Sequence, residues 1–101
     1  MIKPATVAFD VDGTLIEYDD TPRYDVIAFF KQFEQWGCEM IIWSGGGVDY
    51  AKHWAEKLGL EAKIIEKWSI KPDIAIDDFP NGVPWEKPIA KANICVFNKG
   101  K

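Results

Sequence analysis

Apolar runs without polar alternation end at Phe9, Trp43 and Ile76, and each gives way at once to short polar side chains: Asp10 and Asp12, Ser44, and Asp77 with Asp78. No other feature constrains the chain as strongly. Continuous apolarity is the mark of a strand covered on both faces, as in the centre of a parallel sheet, whereas a strand with one wet face alternates. Parallel strands need crossover connections, so helical segments should separate the runs.

The sequence between the runs meets that requirement. Ala5 to Phe9 reads as the first strand, followed by a polar, turn-rich loop from Ile16 to Arg23. Val26, Ile27, Phe29, Phe30, Phe33 and Trp36 then fall at helical spacing over Asp25 to Trp36, with Gly37 as the stop. Cys38 to Trp43, apolar except for Glu39, is the second strand, and it ends in Ser44-Gly45-Gly46-Gly47. A second helix begins near Val48-Asp49, buries Val48, Ala51, Trp54, Ala55 and Leu58, and closes at Gly59. Ala62 to Ile65 is a short third strand, Glu66 to Pro72 a connection too short for a full helix, Asp73 to Ile76 the fourth strand, and Asn93 to Phe97 the last. Alternation of this kind predicts one α/β domain. The aromatic stripe of the first helix reads as core, and His53, off the buried stripe, as a solvated helix residue.

In an open parallel sheet, binding sites form beyond the carboxyl ends of the strands, where strand order reverses. The polar tips named above therefore converge on one edge. Two carboxylates two residues apart repel unless they share a proton or hold a hard divalent cation. Asp and Gly are also ordinary turn residues, so Asp10 to Gly13 alone does not separate a turn from a site; its recurrence on three strands does. The three glycines after Ser44 let backbone N–H groups approach an anion, and the next helix points its positive end the same way. They match neither G-x-G-x-x-G past its first two glycines nor a P-loop.

This pattern resembles the haloacid dehalogenase-like superfamily of phosphoryl-transfer enzymes. The matching residues are Asp10-Val11-Asp12-Gly13-Thr14-Leu15, then Ile41-Ile42-Trp43-Ser44-Gly45, then a lysine, then Ile74-Ala75-Ile76-Asp77-Asp78. The resemblance implies Asp10 as nucleophile and Asp12 as general acid and then base. It implies Mg²⁺ between the Asp10 carboxylate, the Asp12 backbone carbonyl and an acid of the last motif, with Asp78 as the direct ligand and Asp77 behind it. Ser44 and the Gly45 N–H would bind the phosphoryl oxygens. Two lysines compete for the neutralising role. Lys71 has the spacing to the acidic pair seen in some small relatives. Lys67 follows the tip of the third strand and starts on the correct edge, whereas six extended residues at about 3.3 Å each can carry Lys71 to the far edge; geometry favours Lys67.

The implied architecture is a single-domain Rossmann-like sheet of five strands in the order 3-2-1-4-5. It has no cap domain, because neither usual insertion point has room and Ile16 to Arg23 makes only a short flap. Arg23 in that flap is a candidate for a phosphate or an acidic substrate, against the plainer reading of a helix-start surface arginine. Phe79 and Trp85, in the loop after the acidic pair, are candidates to stack on a substrate or simply to fasten the loop.

Composition narrows the function further. A net charge of −4 and a lone arginine among 101 residues disfavour a nucleic-acid groove. No apolar stretch approaches the roughly 18 residues of a membrane span, and no charged-then-apolar leader opens the chain, so a soluble cytoplasmic protein is expected. Cys38 and Cys95 read as reduced core thiols. An aromatic share of 14% in so short a chain is consistent with a homo-oligomer. The expected activity is Mg²⁺-dependent hydrolysis of a phosphorylated substrate of unknown size through an aspartyl-phosphate. The alternatives are a receiver-like phosphoacceptor, which should carry adjacent acids after its first strand, and an inactive metal-binding or assembly domain.

Overall fold

A computed structural model describes residues 4–77 and 93–96, the last four as backbone only. The elements are β1 (Thr6–Phe9), α1 (Tyr24–Gln35), β2 (Glu39–Ile42), α2 (Val48–Leu58), β3 (Lys63–Ile64), β4 (Ile74–Asp77) and β5 (Asn93–Val96). The α/β alternation with a parallel sheet expected from the apolar runs is present. Among the described residues every pairing between these strands is parallel, and they lie in the order β3-β2-β1-β4-β5. No helix among the described residues is long and apolar enough to cross a membrane.

Val48 and Trp36, expected in the core, are 42% and 65% exposed, because one opens α2 and the other caps the end of α1; two differences in strand length also have simple causes. β3 is only two residues long, because it is the outer strand and Lys63 faces water; an edge strand gains little from extending. β4 runs one residue further than the apolar run, since Asp77 pairs with Val96 and is itself fully buried.

Alternation along the central strands divides the core. Val7 and Phe9, Met40 and Ile42, and Ile76 face α1 and α2, which both lie on that side. Phe9 is the hub, with ring centroids 6.3, 5.1 and 6.2 Å from Phe29, Phe30 and Phe33, all at steep angles. Edge-to-face aromatic packing of this kind adds about 0.5–1.5 kcal/mol per pair beyond simple burial. Each helix ends on a left-handed glycine. Gly37 (φ +87°) lets Cys38 N–H reach Phe33 O at 3.2 Å, and Gly59 (φ +71°) lets Leu60 N–H reach Ala55 O at 2.8 Å. Those bonds satisfy carbonyls that the helix leaves open and aim the chain back at the sheet.

The opposite face is built from Ala8, Ile41, Trp43 and Ala75, with Ile65 and Trp68 packed on it. Ala8 pairs with Ala75, and such small neighbours leave room for the Trp43 and Trp68 rings, whose centroids are 5.2 Å apart. The β3-to-β4 connection thus returns over the face that the helices leave. Right-handed crossovers require this, because the chain must reverse direction to bring β4 beside β1. The reversal point lies between β1 and β4, where a site is expected.

Candidate active site

Strand register levels the polar tips. Phe9 pairs with both Ile42 and Ile76, so Asp10, Trp43 and Asp77 stand one residue beyond a common row. Asp10 N–H donates to Ile76 O at 3.0 Å and Trp43 N–H to Phe9 O at 3.1 Å, which fixes the three tips before any side chain acts. By the period of a strand, Asp10 and Asp77 leave on the face of Ala8 and Ala75, towards the segment that carries Lys67.

That segment delivers the cation. Lys67 Nζ lies 2.8 Å from Asp10 Oδ1 and 2.9 Å from Asp77 Oδ2, and the three side chains are 10%, 6% and 1% exposed. Burial pulls the Lys67 ammonium down, but the charges of Asp10 and Asp77 and their hydrogen bonds outweigh it and hold the group above its ordinary range. It therefore stays charged at neutral pH. Trp68 packs beside the lysine: its backbone is left-handed at φ +66°, its ring centroid lies 5.1 Å from Lys67 Nζ, and the ring is tilted 51° against that of Trp43. A bulky residue at positive φ is strained, and such strain persists where the surrounding packing over-determines it. Lys71, by contrast, is exposed, two residues before Asp73, whose N–H and carboxylate bind Thr6 at the start of β1. It stands towards the opposite edge of the sheet from Asp10.

Asp10 also accepts a 3.4 Å hydrogen bond from the buried Thr14 hydroxyl. The turn between them is drawn tight by Val11 O, which accepts from the N–H groups of Thr14, Leu15 and Ile16, while Gly13 N–H donates to Ile16 O at 2.7 Å. Gly13 sits at φ +79°, a conformation natural to glycine. Asp12, half-buried in this turn, accepts a 2.8 Å hydrogen bond from the Tyr50 hydroxyl. That bond, with burial and the Asp12 charge, raises the Tyr50 pKa, so the phenol keeps the proton it donates. Ser44 is buried, and its Oγ accepts from Gly46 N–H at 2.9 Å; Gly45 beside it is exposed. Asp78, Phe79 and Trp85 lie outside the described residues.

Arg23 is neither a surface arginine nor part of an open phosphate pocket. It is 8% exposed, and its guanidinium donates to Gly13 O at 3.0 Å, with Glu17 and Asp25 carboxylates at 4.0 and 3.8 Å. It braces the turn that carries Asp12. Its position is set by the flap, in which Ile16 bridges Pro22 and Arg23 N–H donates to Leu15 O at 2.9 Å. Arg23→Met, which keeps the aliphatic bulk but leaves the Gly13 carbonyl without its charged donor, is expected to cost about 2 kcal/mol. Urea unfolding would read this as a lower midpoint with an unchanged slope.

Sequence reasoning missed Tyr50, Thr14 and the bracing role of Arg23. Thr14 carried a signal, a hydroxyl four residues after Asp10 in a stretch already singled out. Tyr50 carried none, since a first-turn helix tyrosine is commonplace and its partner is 38 positions away.

The arrangement is a buried carboxylate pair bridged by a cation, beside a second carboxylate held by a phenol, over a Gly-rich turn at a helix start. It suits nucleophilic and proton-transfer chemistry on an anion. Comparison with curated proteins and with solved structures finds no match. A family model of haloacid dehalogenase-like hydrolases matches residues 7–67, from β1 to the bridging lysine. The chain therefore belongs to the haloacid dehalogenase-like hydrolases.

Proposed function

We propose that the protein is a Mg²⁺-dependent phosphomonoesterase that works through an aspartyl-phosphate on Asp10. The observation that carries this reading is the Asp10–Lys67–Asp77 bridge, buried at the reversal point of the sheet. A carboxylate there, 2.8 Å from an ammonium, is a positioned nucleophile whose charge is already part-neutralised.

An Asp10 oxygen attacks phosphorus, and the bond from phosphorus to the leaving oxygen breaks. Asp12 gives that oxygen its proton. Water then attacks the phosphorus of the aspartyl-phosphate and loses a proton to Asp12, and the bond to Asp10 breaks, which restores the carboxylate and releases inorganic phosphate. Ser44, Gly45 N–H and Lys67 take up the negative charge of the phosphoryl oxygens, which would otherwise oppose attack by an anion.

The donors suit Mg²⁺. The Asp10 and Asp77 carboxylates and the Asp12 carbonyl are hard oxygens near one sheet edge, the set a small divalent cation prefers. Among the described residues no group of three acidic, His or Cys side chains closes round a metal, so water and substrate would complete the shell. Bound there, the ion would neutralise the attacking and transferring oxygens. The resemblance assigns the direct acidic ligand to Asp78, which lies outside the described residues.

Incubation with p-nitrophenyl phosphate tests the reading. Release of p-nitrophenol is expected with Mg²⁺ present and to fall at least about a hundredfold when EDTA removes it. Stable phosphorylation from acetyl phosphate without turnover would favour a receiver-like phosphoacceptor instead. Cation binding with neither outcome would mark an inactive domain.

A further inference from the structure

We propose that Tyr50 is a positioning residue that fixes the Asp12 carboxylate for proton transfer and ties it to the loop carrying Ser44. The inference rests on the reading of Asp12 as the proton-transfer group. Among the described residues, the 2.8 Å bond from the Tyr50 hydroxyl to Asp12 Oδ1 is the only side-chain hydrogen bond that Asp12 makes. A carboxylate in a solvent-edge turn would otherwise sample several rotamers. With Oδ1 committed to the phenol, Oδ2 is left to carry the proton to and from substrate.

The same ring touches the other half of the site. A Cβ placed on Gly46 would meet Tyr50 Cδ2 at 3.1 Å and Ser44 Oγ at 3.4 Å, so the ring lies against this glycine and close to the serine. A side chain at position 46 would press the ring away. Ser44 Oγ is itself held by Gly46 N–H. The Tyr50 ring thus joins the first turn of α2 to both Asp12 and the glycine loop after Ser44.

The role separates from mere structural support by its dependence on the leaving group. Departure of p-nitrophenolate needs no proton, whereas an alkoxide from glycerol 2-phosphate does, and kcat/KM reports only the steps up to that departure. In Tyr50→Phe, which keeps the ring and its packing, the ratio of kcat/KM for p-nitrophenyl phosphate to that for glycerol 2-phosphate is expected to rise at least about tenfold over the wild type, a part of the general-acid contribution. In an Asp12→Asn background the same substitution should change neither substrate further, because Tyr50 acts through Asp12. Thermal unfolding of each variant confirms that folded proteins are compared. An unchanged ratio, an equal fall on both substrates, or a further loss in the Asp12→Asn background would overturn the proposal while leaving the phosphatase reading intact. Failure of the wild type to hydrolyse either ester would overturn both.

Discussion

Asp10→Asn is expected to lower phosphomonoester hydrolysis at least about a thousandfold while leaving the protein folded. Asn keeps the shape and, with its amide oxygen turned to Lys67, its NH2 can donate to Thr14 Oγ where the carboxylate accepted, but it cannot form the acyl phosphate. Its amide also leaves Lys67 paired with Asp77 alone, a neutral buried pair, so the cost in stability should stay within about 2 kcal/mol. The measurement is steady-state hydrolysis of p-nitrophenyl phosphate alongside thermal unfolding. Retention of more than a tenth of the activity would remove Asp10 from the role of nucleophile, and loss of fold would show that its charge is structural.

The largest effect on stability is expected from Lys67→Met. Asp10 and Asp77 would then face each other with side chains 6% and 1% exposed and no bridging cation. Breaking a buried ion pair from one side typically costs about 3–5 kcal/mol, because the remaining charge is stranded. For a domain of this size each kcal/mol moves the midpoint by about 4–8 °C, so the Tm should fall by roughly 15 °C or more. Added Mg²⁺ should recover part of that loss, since a divalent cation can take over the neutralisation, and it should stabilise the variant more than the wild type. Lys71→Met, at an exposed position, should stay within about 0.5 kcal/mol of the wild type. The pH dependence follows from the direction of the Lys67 shift. An ammonium held above its ordinary 10.5 contributes stability fully below that value and loses it as pH rises through the raised pKa. On the alkaline side, the gap between wild type and Lys67→Met should therefore narrow only in strong alkali.

Much of this was legible because the informative residues interrupt a pattern. Asp10, Ser44 and Asp77 each break an apolar run at a strand tip, and a polar residue at the end of a doubly buried strand is conspicuous even in one sequence. Lys67 could be weighed against Lys71 by chain length alone: a residue two positions past the expected strand tip at Ile65 stays near that edge, whereas one just before the next strand has travelled to the other. Contacts that depend on how distant surfaces meet were not legible. Arg23 opens a helix, where an arginine ordinarily points to water, and only the tight Val11–Ile16 turn presents the Gly13 carbonyl that buries it. Tyr50 reaches Asp12 because α2 starts from the glycine loop at a particular angle, which no local periodicity encodes. The short β3 was over-read for a similar reason: apolar residues around Lys63 resemble a full strand until it is known that, among the described residues, only Lys63 and Ile64 pair with β2.

The most direct measurement is chemical. The protein is mixed with Mg²⁺ and a phosphomonoester, quenched with borohydride during turnover, digested and mapped by mass spectrometry. An aspartyl-phosphate on residue 10 would be reduced there to homoserine, in the wild type and not in Asp10→Asn. Hydrolysis that proceeds with residue 10 unmodified, or with the label on another residue, would contradict the account.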